Sequence, residues 1–308
     1  MNQSVLILDG TAVAYRAFYA VRELATRAGQ PTNALFGFIR MVRQLESRWR
    51  PDRLVVTFDG GSPAHRLEKC PDYKAQRAPM PDDLRSQLGP INEFLAAAGI
   101  PMILLKGQEA DDVMATLAAR AAAEGALVRL ATSDKDLMQL VSAQVRIVPP
   151  TKADEELDPA GVVAKTGVRP DQIVDWLALI GDSADNIPGV NGIGPKTATK
   201  LLAQFGSLAA CFEQAAKIES AGLREKLLAG RAIAETNVEL MTLDRNVPGV
   251  PGWAQIPAPM PAPAKLQAFF EKYELHRLAA DGMSLSAVAA PAPKPVPICP
   301  AGDQLNLF

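Results

Sequence analysis

The sequence predicts an α/β fold with a mainly parallel central sheet flanked by helices, followed by a helical subdomain. Two observations predict it. Short apolar runs, each long enough for one buried strand, alternate with helix-patterned stretches, the order that builds parallel sheets. The first four runs also lead into acids, and in such sheets functional groups gather beyond the carboxyl ends of the strands.

Taken in order, Val5-Leu6-Ile7-Leu8 is the first strand and ends at Asp9-Gly10-Thr11. Helical patterns over 12–25 and 34–49 follow, and Leu54-Val55-Val56-Thr57-Phe58 is the second strand, ending at Asp59-Gly60-Gly61. A polar segment holding Arg66, Lys69, Tyr73, Lys74 and Arg77 then closes on Pro79 and Pro81. The third strand, Met102-Ile103-Leu104-Leu105, leads to Glu109, Asp111 and Asp112 at the start of a helix over 112–124. Acids in a first helical turn favour its positive end, so this cluster alone says little about chemistry. A fourth strand over 127–132 leads to Asp134 and Asp136, and Val145-Arg146-Ile147-Val148 is a fifth.

The second half reads as helical. A helix over 170–180 precedes Gly181-Asp182-Ser183-Ala184-Asp185-Asn186, which adds two acids. A glycine-rich turn, Gly189 to Thr197, opens a helix over 198–205, and further helices are expected over 208–216, 223–243 and 265–278. The Pro/Gly-rich stretch 247–263 is a connector, and 287–300 is an Ala/Pro linker, the composition of an extended spacer.

Composition removes several classes. The 308 residues carry Lys+Arg 32 against Asp+Glu 34, a formal net charge of −2, so there is no global basic footprint for nucleic acid, only room for local patches. Cys70, Cys211 and Cys299 are scattered, and with only His65 and His276 beside them a zinc site is not expected. Neither a signal peptide nor a membrane span is evident, so a soluble cytoplasmic protein is expected.

The acids are the strongest chemical signal. An Asp after one strand is usually a turn residue or helix cap, but acids after four strands are hard to explain that way. Two carboxylates 4 Å apart repel by about 4 kcal/mol at an effective dielectric of 20, so such a group raises its own pKa values or takes up cations. All-oxygen ligands favour Mg²⁺ or Mn²⁺, and two such ions suit phosphodiester hydrolysis. Lys74 and Arg77 are placed to neutralise charge on a phosphate, and Tyr73 to stack on a base. Gly189 to Thr197 offers close backbone approach and helix-start amides to a phosphate, with Lys196 and Lys200 adding charge.

These segments together resemble the 5′-nuclease domain of bacterial DNA polymerase I and the wider flap endonuclease family. The resemblance covers roughly 5–280 and rests on Leu8-Asp9-Gly10, Phe58-Asp59, Tyr73-Lys74-Ala75-Gln76-Arg77-Ala78-Pro79, Glu109-Ala110-Asp111-Asp112, Asp134-Lys135-Asp136-Leu137, Gly181 to Asn186 and Gly189 to Thr197. Each is weak alone; in this order they are specific. The resemblance implies a nuclease core over 1–168 with a helical arch near 62–90, and a DNA-binding subdomain over 169–284 with a helix-hairpin-helix near 186–205. It implies that Asp9, Asp59, Glu109 and Asp111 hold a first metal, that Asp134, Asp136, Asp182 and Asp185 form the second-site group, and that Asp112 contributes at the centre. By the same resemblance Lys74 and Arg77 lie on the arch, Arg16 lies near the scissile phosphate, and Gly192, Ile193 and Gly194 belong to a hairpin where K⁺ bridges backbone and DNA, with Thr197 opening the helix that follows. His65 and Cys70 stand where relatives often carry aromatic residues.

The final residues, Gln304-Leu305-Asn306-Leu307-Phe308, resemble the bacterial sliding-clamp-binding pentapeptide, with Gln304, Leu305, Leu307 and Phe308 as its contacts after a linker over 285–303. The expectation is a stand-alone, monomeric, metal-dependent 5′-3′ exonuclease or flap endonuclease acting on branched or 5′-flap DNA in replication and repair. The alternative is a catalytically weak junction-binding protein recruited by the clamp.

Overall fold

The computed structural model describes residues 3–280; the expected linker and the pentapeptide at 304–308 lie outside the described residues. Five strands, β1 (Ser4–Asp9), β2 (Arg53–Phe58), β3 (Met102–Leu104), β4 (Leu127–Ala131) and β5 (Val145–Val148), form one sheet in the order β3-β2-β1-β4-β5. Every pairing is parallel. The chain fills one side of β1 with β2 and β3, then crosses to the other with β4 and β5. The neighbours β1 and β4 therefore flank the point where connections diverge, and ligand crevices open there at the strands' carboxyl ends.

Helices α1 (Gly10–Ala20), α2 (Asn33–Trp49), α3 (Ala64–Lys69), α4 (Asp82–Ala97), α5 (Ala110–Ala123) and α6 (Pro159–Thr166) belong to this first half. Successive strand residues point to opposite faces. Leu6, Leu8, Leu54 and Val56 join a core with α1, α2 and α4; Val5, Ile7, Val55, Val128 and Leu130 join a second core with α5. With both faces covered, the strands read as unbroken apolar runs. The edge strand β3 departs from that pattern: Met102 and Leu104 are 40% and 51% exposed, so the apolar run there does not mark full burial.

The second half comprises α7 (Ile173–Ile180), β6 (Gly181–Asp182), β7 (Ile187–Pro188), α8 (Pro195–Phe205), α9 (Leu208–Glu213), α10 (Ala221–Ala229), α11 (Arg231–Met241), α12 (Pro263–Lys272) and α13 (His276–Ala280). Leu177, Leu202 and Leu240 extend the α5 core into this half, whereas Leu266, Phe270 and Leu278 of α12 and α13 return to the opposite core.

Local differences from the sequence reading have physical causes. The helix expected over 12–25 stops at Ala20, and the chain turns back through an Ala25–Pro31 bridge. The helix expected over 223–243 breaks at Gly230, where a Cβ would overlap the Val190 side chain. That corner seats α10 and α11 directly on the glycine-rich hairpin, a contact that apolar spacing does not reveal. The acids of 181–186 sit in a two-stranded antiparallel ribbon, Gly181 opposite Pro188 and Asp182 opposite Ile187, too short to show periodicity. The arch expected near 62–90 divides into α3, a turn through Arg77 and the first turns of α4. Those turns are core: Leu84 is buried, and Gln87 accepts from the Leu35 N–H at 3.0 Å and donates to Asn33 Oδ1 at 2.9 Å. No helix among the described residues is long and apolar enough to cross a membrane.

Candidate active site

Strand ends and helix starts position the acids. Asp9 closes β1 and caps α1, its Oδ1 accepting from the Ala12 N–H at 2.9 Å. Asp59 follows β2 and accepts from the Ala110 N–H at 2.8 Å, so it serves the first residue of α5. The two loops are laced together by Gly60 N–H to the Gln108 carbonyl (2.9 Å) and Gly107 N–H to the Gly60 carbonyl (2.8 Å). Beyond β4, the Thr132 hydroxyl donates to Asp9 Oδ2 at 3.4 Å and accepts from the Asp134 N–H at 3.1 Å. Asp134 Oδ1 in turn accepts from the Asp136 N–H at 2.9 Å. Asp182 and Asp185 reach the site from the β6–β7 ribbon, tied to the basic segment by Lys74 N–H donating to the Asp185 carbonyl at 3.0 Å.

The electrostatics divide the acids into two groups that share Asp134. Burial and then the Asp59 charge push Asp9 up to about 7, with Asp134 adding to the effect. Burial, then Asp134, Asp9 and Asp59, hold Asp111 well above the usual carboxylate range. Asp136 is likewise raised by burial, then by Asp134, Asp182 and Asp185, and burial is the leading cause of the upward shift of Asp134. Ligand oxygens of Asp136, Asp182 and Asp185 lie within 4.8 Å of one another, and Asp136 Oδ1 is buried without a hydrogen-bond partner. A buried, unpartnered carboxylate oxygen beside two more carboxylates fits a hard divalent cation, which takes oxygen ligands and repays their desolvation.

Side-chain cations lie against the same acids. Lys74 Nζ is 2.7 Å from Glu109 Oε1 and 3.7 Å from Asp185 Oδ2; Arg77 Nη2 is 2.5 Å from Asp185 Oδ1; Lys135 Nζ is 3.2 Å from Asp182 Oδ2. Burial opposes the Lys74 charge, but Glu109 and Asp185 together outweigh it and raise its pKa.

Three expectations change. Asp112 does not contribute at the centre: it is fully buried, bound by Arg66 at 2.7 and 2.9 Å and by the Asp244 N–H at 2.9 Å, so both oxygens are committed. Arg66, grouped by sequence with the phosphate-gripping segment, is itself buried. Tyr73 is 6% exposed, and its hydroxyl lies 3.0 Å from Glu109 and 3.1 Å from Asp185, so its ring is not offered for stacking. The signal in the sequence was polarity, and polarity does not separate a solvated cation from a buried one.

Arg16 lies on α1, half-buried and two turns from the Asp9 cap. In the hairpin, Gly192, Gly194, Lys196 and Lys200 are exposed, Thr197 is half-buried and Ile193 is core. The Thr197 and Ala198 N–H groups both turn back to the Gly194 carbonyl at 3.0 Å, so the Thr197 amide is not a free donor. Gly192 has φ +76°, and a Cβ there would meet Lys226 Nζ at 2.9 Å. Lys226 of α10 was missed because nothing in its neighbourhood along the chain marks it. Thr132, two residues before Asp134, could have been read as a Ser/Thr turn.

A family model described as the 5′-3′ exonuclease N-terminal resolvase-like domain matches residues 4–167, and one described as the 5′-3′ exonuclease C-terminal SAM fold matches 168–262. A 5′-3′ exonuclease of Aquifex aeolicus is 45% identical over 206 residues, 67% of this chain and 71% of that protein. Thermostable DNA polymerase I of Thermus aquaticus is 39% identical over 275 residues, 89% of this chain but 32% of the polymerase; the chain spans about a third of that relative. Among solved structures, T5 5′-exonuclease with bound zinc superposes with a TM-score of 0.67 at 22% identity, covering 88% of this chain and 98% of that one. The catalytic core of Rad2 in complex with DNA substrate gives 0.63 at 17% identity, covering 91% of each. At these identities the two structures show a shared fold.

Proposed function

The chain belongs to the 5′-3′ exonuclease family, and we propose that it hydrolyses phosphodiester bonds in branched or 5′-flap DNA, with Mg²⁺ or Mn²⁺ held by the acid cluster. The observation that carries this reading is the convergence of Asp9, Asp59, Asp111, Asp134, Asp136, Asp182 and Asp185 on the carboxyl edge of β1 and β4, with Asp136 Oδ1 buried and unpartnered. Bound divalent ions would activate water and neutralise the phosphodiester charge. Asp134 joins both acid groups, while Glu109 offers Oε1 from the side.

Lys74 and Arg77, over the acids, would receive the phosphate's negative charge as it approaches. Arg16, on α1 two turns from the Asp9 cap, would add positive charge to the approach of the same phosphate. Duplex DNA would rest on Gly192, Gly194, Lys196 and Lys200, where a backbone phosphate meets exposed backbone and lysine charge without any reading of sequence; K⁺ at this hairpin is part of the same proposal. The terminal contacts Gln304, Leu305, Leu307 and Phe308 would tether the nuclease to a sliding clamp, raising its effective concentration at junctions. Deleting 304–308 is expected to weaken clamp association, measured by surface plasmon resonance, with clamp-free cleavage unchanged; unaltered clamp affinity rejects the tether.

Cleavage of an end-labelled 5′-flap DNA during a Mg²⁺ and Mn²⁺ titration tests the main reading. Ion-dependent cutting near the junction is expected. Tight junction binding without cutting in either ion would instead favour a clamp-recruited binding protein.

A further inference from the structure

Arg66 is the largest fully buried side chain among the described residues. Its guanidinium is spent entirely on the protein. Nη1 donates to Glu109 Oε2 at 2.6 Å and Asp112 Oδ2 at 2.7 Å, Nη2 to Asp112 Oδ1 at 2.9 Å, and Nε to the Leu240 carbonyl at 3.0 Å. Burial works against the charge, but Asp112 and Glu109 overcome it and raise the Arg66 pKa. Glu109 Oε2 also accepts from the Tyr73 hydroxyl, whereas Oε1 faces Lys74 at the edge of the acid cluster. The two oxygens of Glu109 are thus unequal: one is fixed from behind, the other presented.

We propose that Arg66 is a positioning residue for the nuclease reaction. It locks Glu109 through Oε2 and takes Asp112 as its own counter-ion. Glu109 Oε1 is then left to face Lys74 at the edge of the acid cluster. The planar fork matters because four oxygens, one from Glu109, two from Asp112 and one from Leu240, lie around one group, an arrangement a single ammonium does not span. Leu240 belongs to α11, so the orientation of a catalytic carboxylate depends on docking of the helical subdomain. This inference rests on the acid cluster being the hydrolytic centre.

The test uses Arg66→Lys and Arg66→Gln in the full chain. Single-turnover cleavage of 5′-flap DNA is read beside Mn²⁺ affinity by calorimetry, DNA affinity in Ca²⁺ across a salt series, and thermal unfolding. Supporting groups behind metal ligands are typically worth 10–100-fold in affinity or activity. A loss of about that size is expected in cleavage rate or Mn²⁺ affinity for both variants below their unfolding temperatures, with DNA affinity and its salt slope unchanged. Wild-type cleavage and Mn²⁺ affinity by Arg66→Lys would overturn the proposal, because charge alone would then suffice. Weakened DNA binding with a shallower salt slope would overturn it too, by making Arg66 a phosphate contact. If Arg66→Lys does not fold, Asp112→Asn weakens the same fork at constant shape; a loss of at least about tenfold supports the proposal, and a wild-type rate rejects it. Asp134→Ala is the control: if it still cuts, the reading of the cluster fails, whatever Arg66 does.

Discussion

The acid edge of the sheet and the glycine-rich hairpin of the helical half are both places where this chain can meet a phosphate, and they are built on opposite principles. At the sheet edge, carboxylates from β1, β2, α5, β4 and the β6–β7 ribbon come together; burial first and the Asp59 charge second push Asp9 to about 7, and Asp136 keeps an unpartnered oxygen. That site is strained electrostatically and has the all-oxygen donors that suit a divalent cation. At the hairpin the functional groups are backbone and lysine, Gly192 supplies a left-handed turn, and Lys226 packs where a side chain would otherwise stand. One region stores charge repulsion and the other stores shape. Substitutions should therefore damage chemistry in the first and affinity in the second.

The largest expected effect is at Asp134, which faces both acid groups. Asp134→Ala should lower cleavage by about 10²–10³-fold or more, the scale for losing one electrostatic group aimed at the reaction, with DNA binding retained. Retained turnover would break the comparison at its first term. Gly192→Ala should do the reverse. The left-handed conformation costs an Ala roughly 1–2 kcal/mol, and its methyl group would displace Lys226, so duplex affinity should fall by about tenfold, near 1.4 kcal/mol, while the single-turnover rate at saturating protein is unchanged. Fluorescence anisotropy in Ca²⁺ measures the first and quench-flow the second; a loss in rate alone would merge the two regions.

The smallest effect is on stability, and its sign follows from the raised carboxylates. The folded pKa of Asp9, about 7, exceeds its ordinary 3.8, so the folded state holds this proton more tightly. The stability it contributes is full below about pH 4 and is lost as pH rises toward 7. Asp111 and Asp136 act in the same direction. On the proposed reading, divalent ions bind the charged folded form, worth about 2.7 kcal/mol at a hundred times Kd, so the rise in Tm on adding Mg²⁺ should grow between pH 4 and pH 8. Glu46 on α2, pushed to about 7 by burial with only Arg43 opposing, gives a background that the ion does not remove. A Tm shift independent of pH would show that the acids are not ionising together around the metal.

Much was legible in one dimension. Parallel strands buried on both faces leave unbroken apolar runs, and acids placed directly after them identify the functional edge without any knowledge of strand order. The α/β class, the run of acids and the hairpin glycines all follow from neighbours within a few residues. What needed the third dimension was the state of each polar side chain. Arg66, Tyr73 and Lys74 lie within one polar segment, yet the first is buried against Asp112, the second is wedged between Glu109 and Asp185 with its ring hidden, and the third, half-buried, sets its ammonium beside Glu109 and Asp185. Asp111 and Asp112 are adjacent, and successive residues on a helix point about 100° apart, so one faces the acids and the other faces Arg66. Lys226 lies against Gly192, and Gly230 lies against Val190, contacts between segments more than thirty residues apart in the chain. Sequence specifies the hydrophobic pattern and the local turns; which charges are paired, buried or offered to a ligand depends on contacts between segments far apart in the chain, and those exist only once the chain has packed.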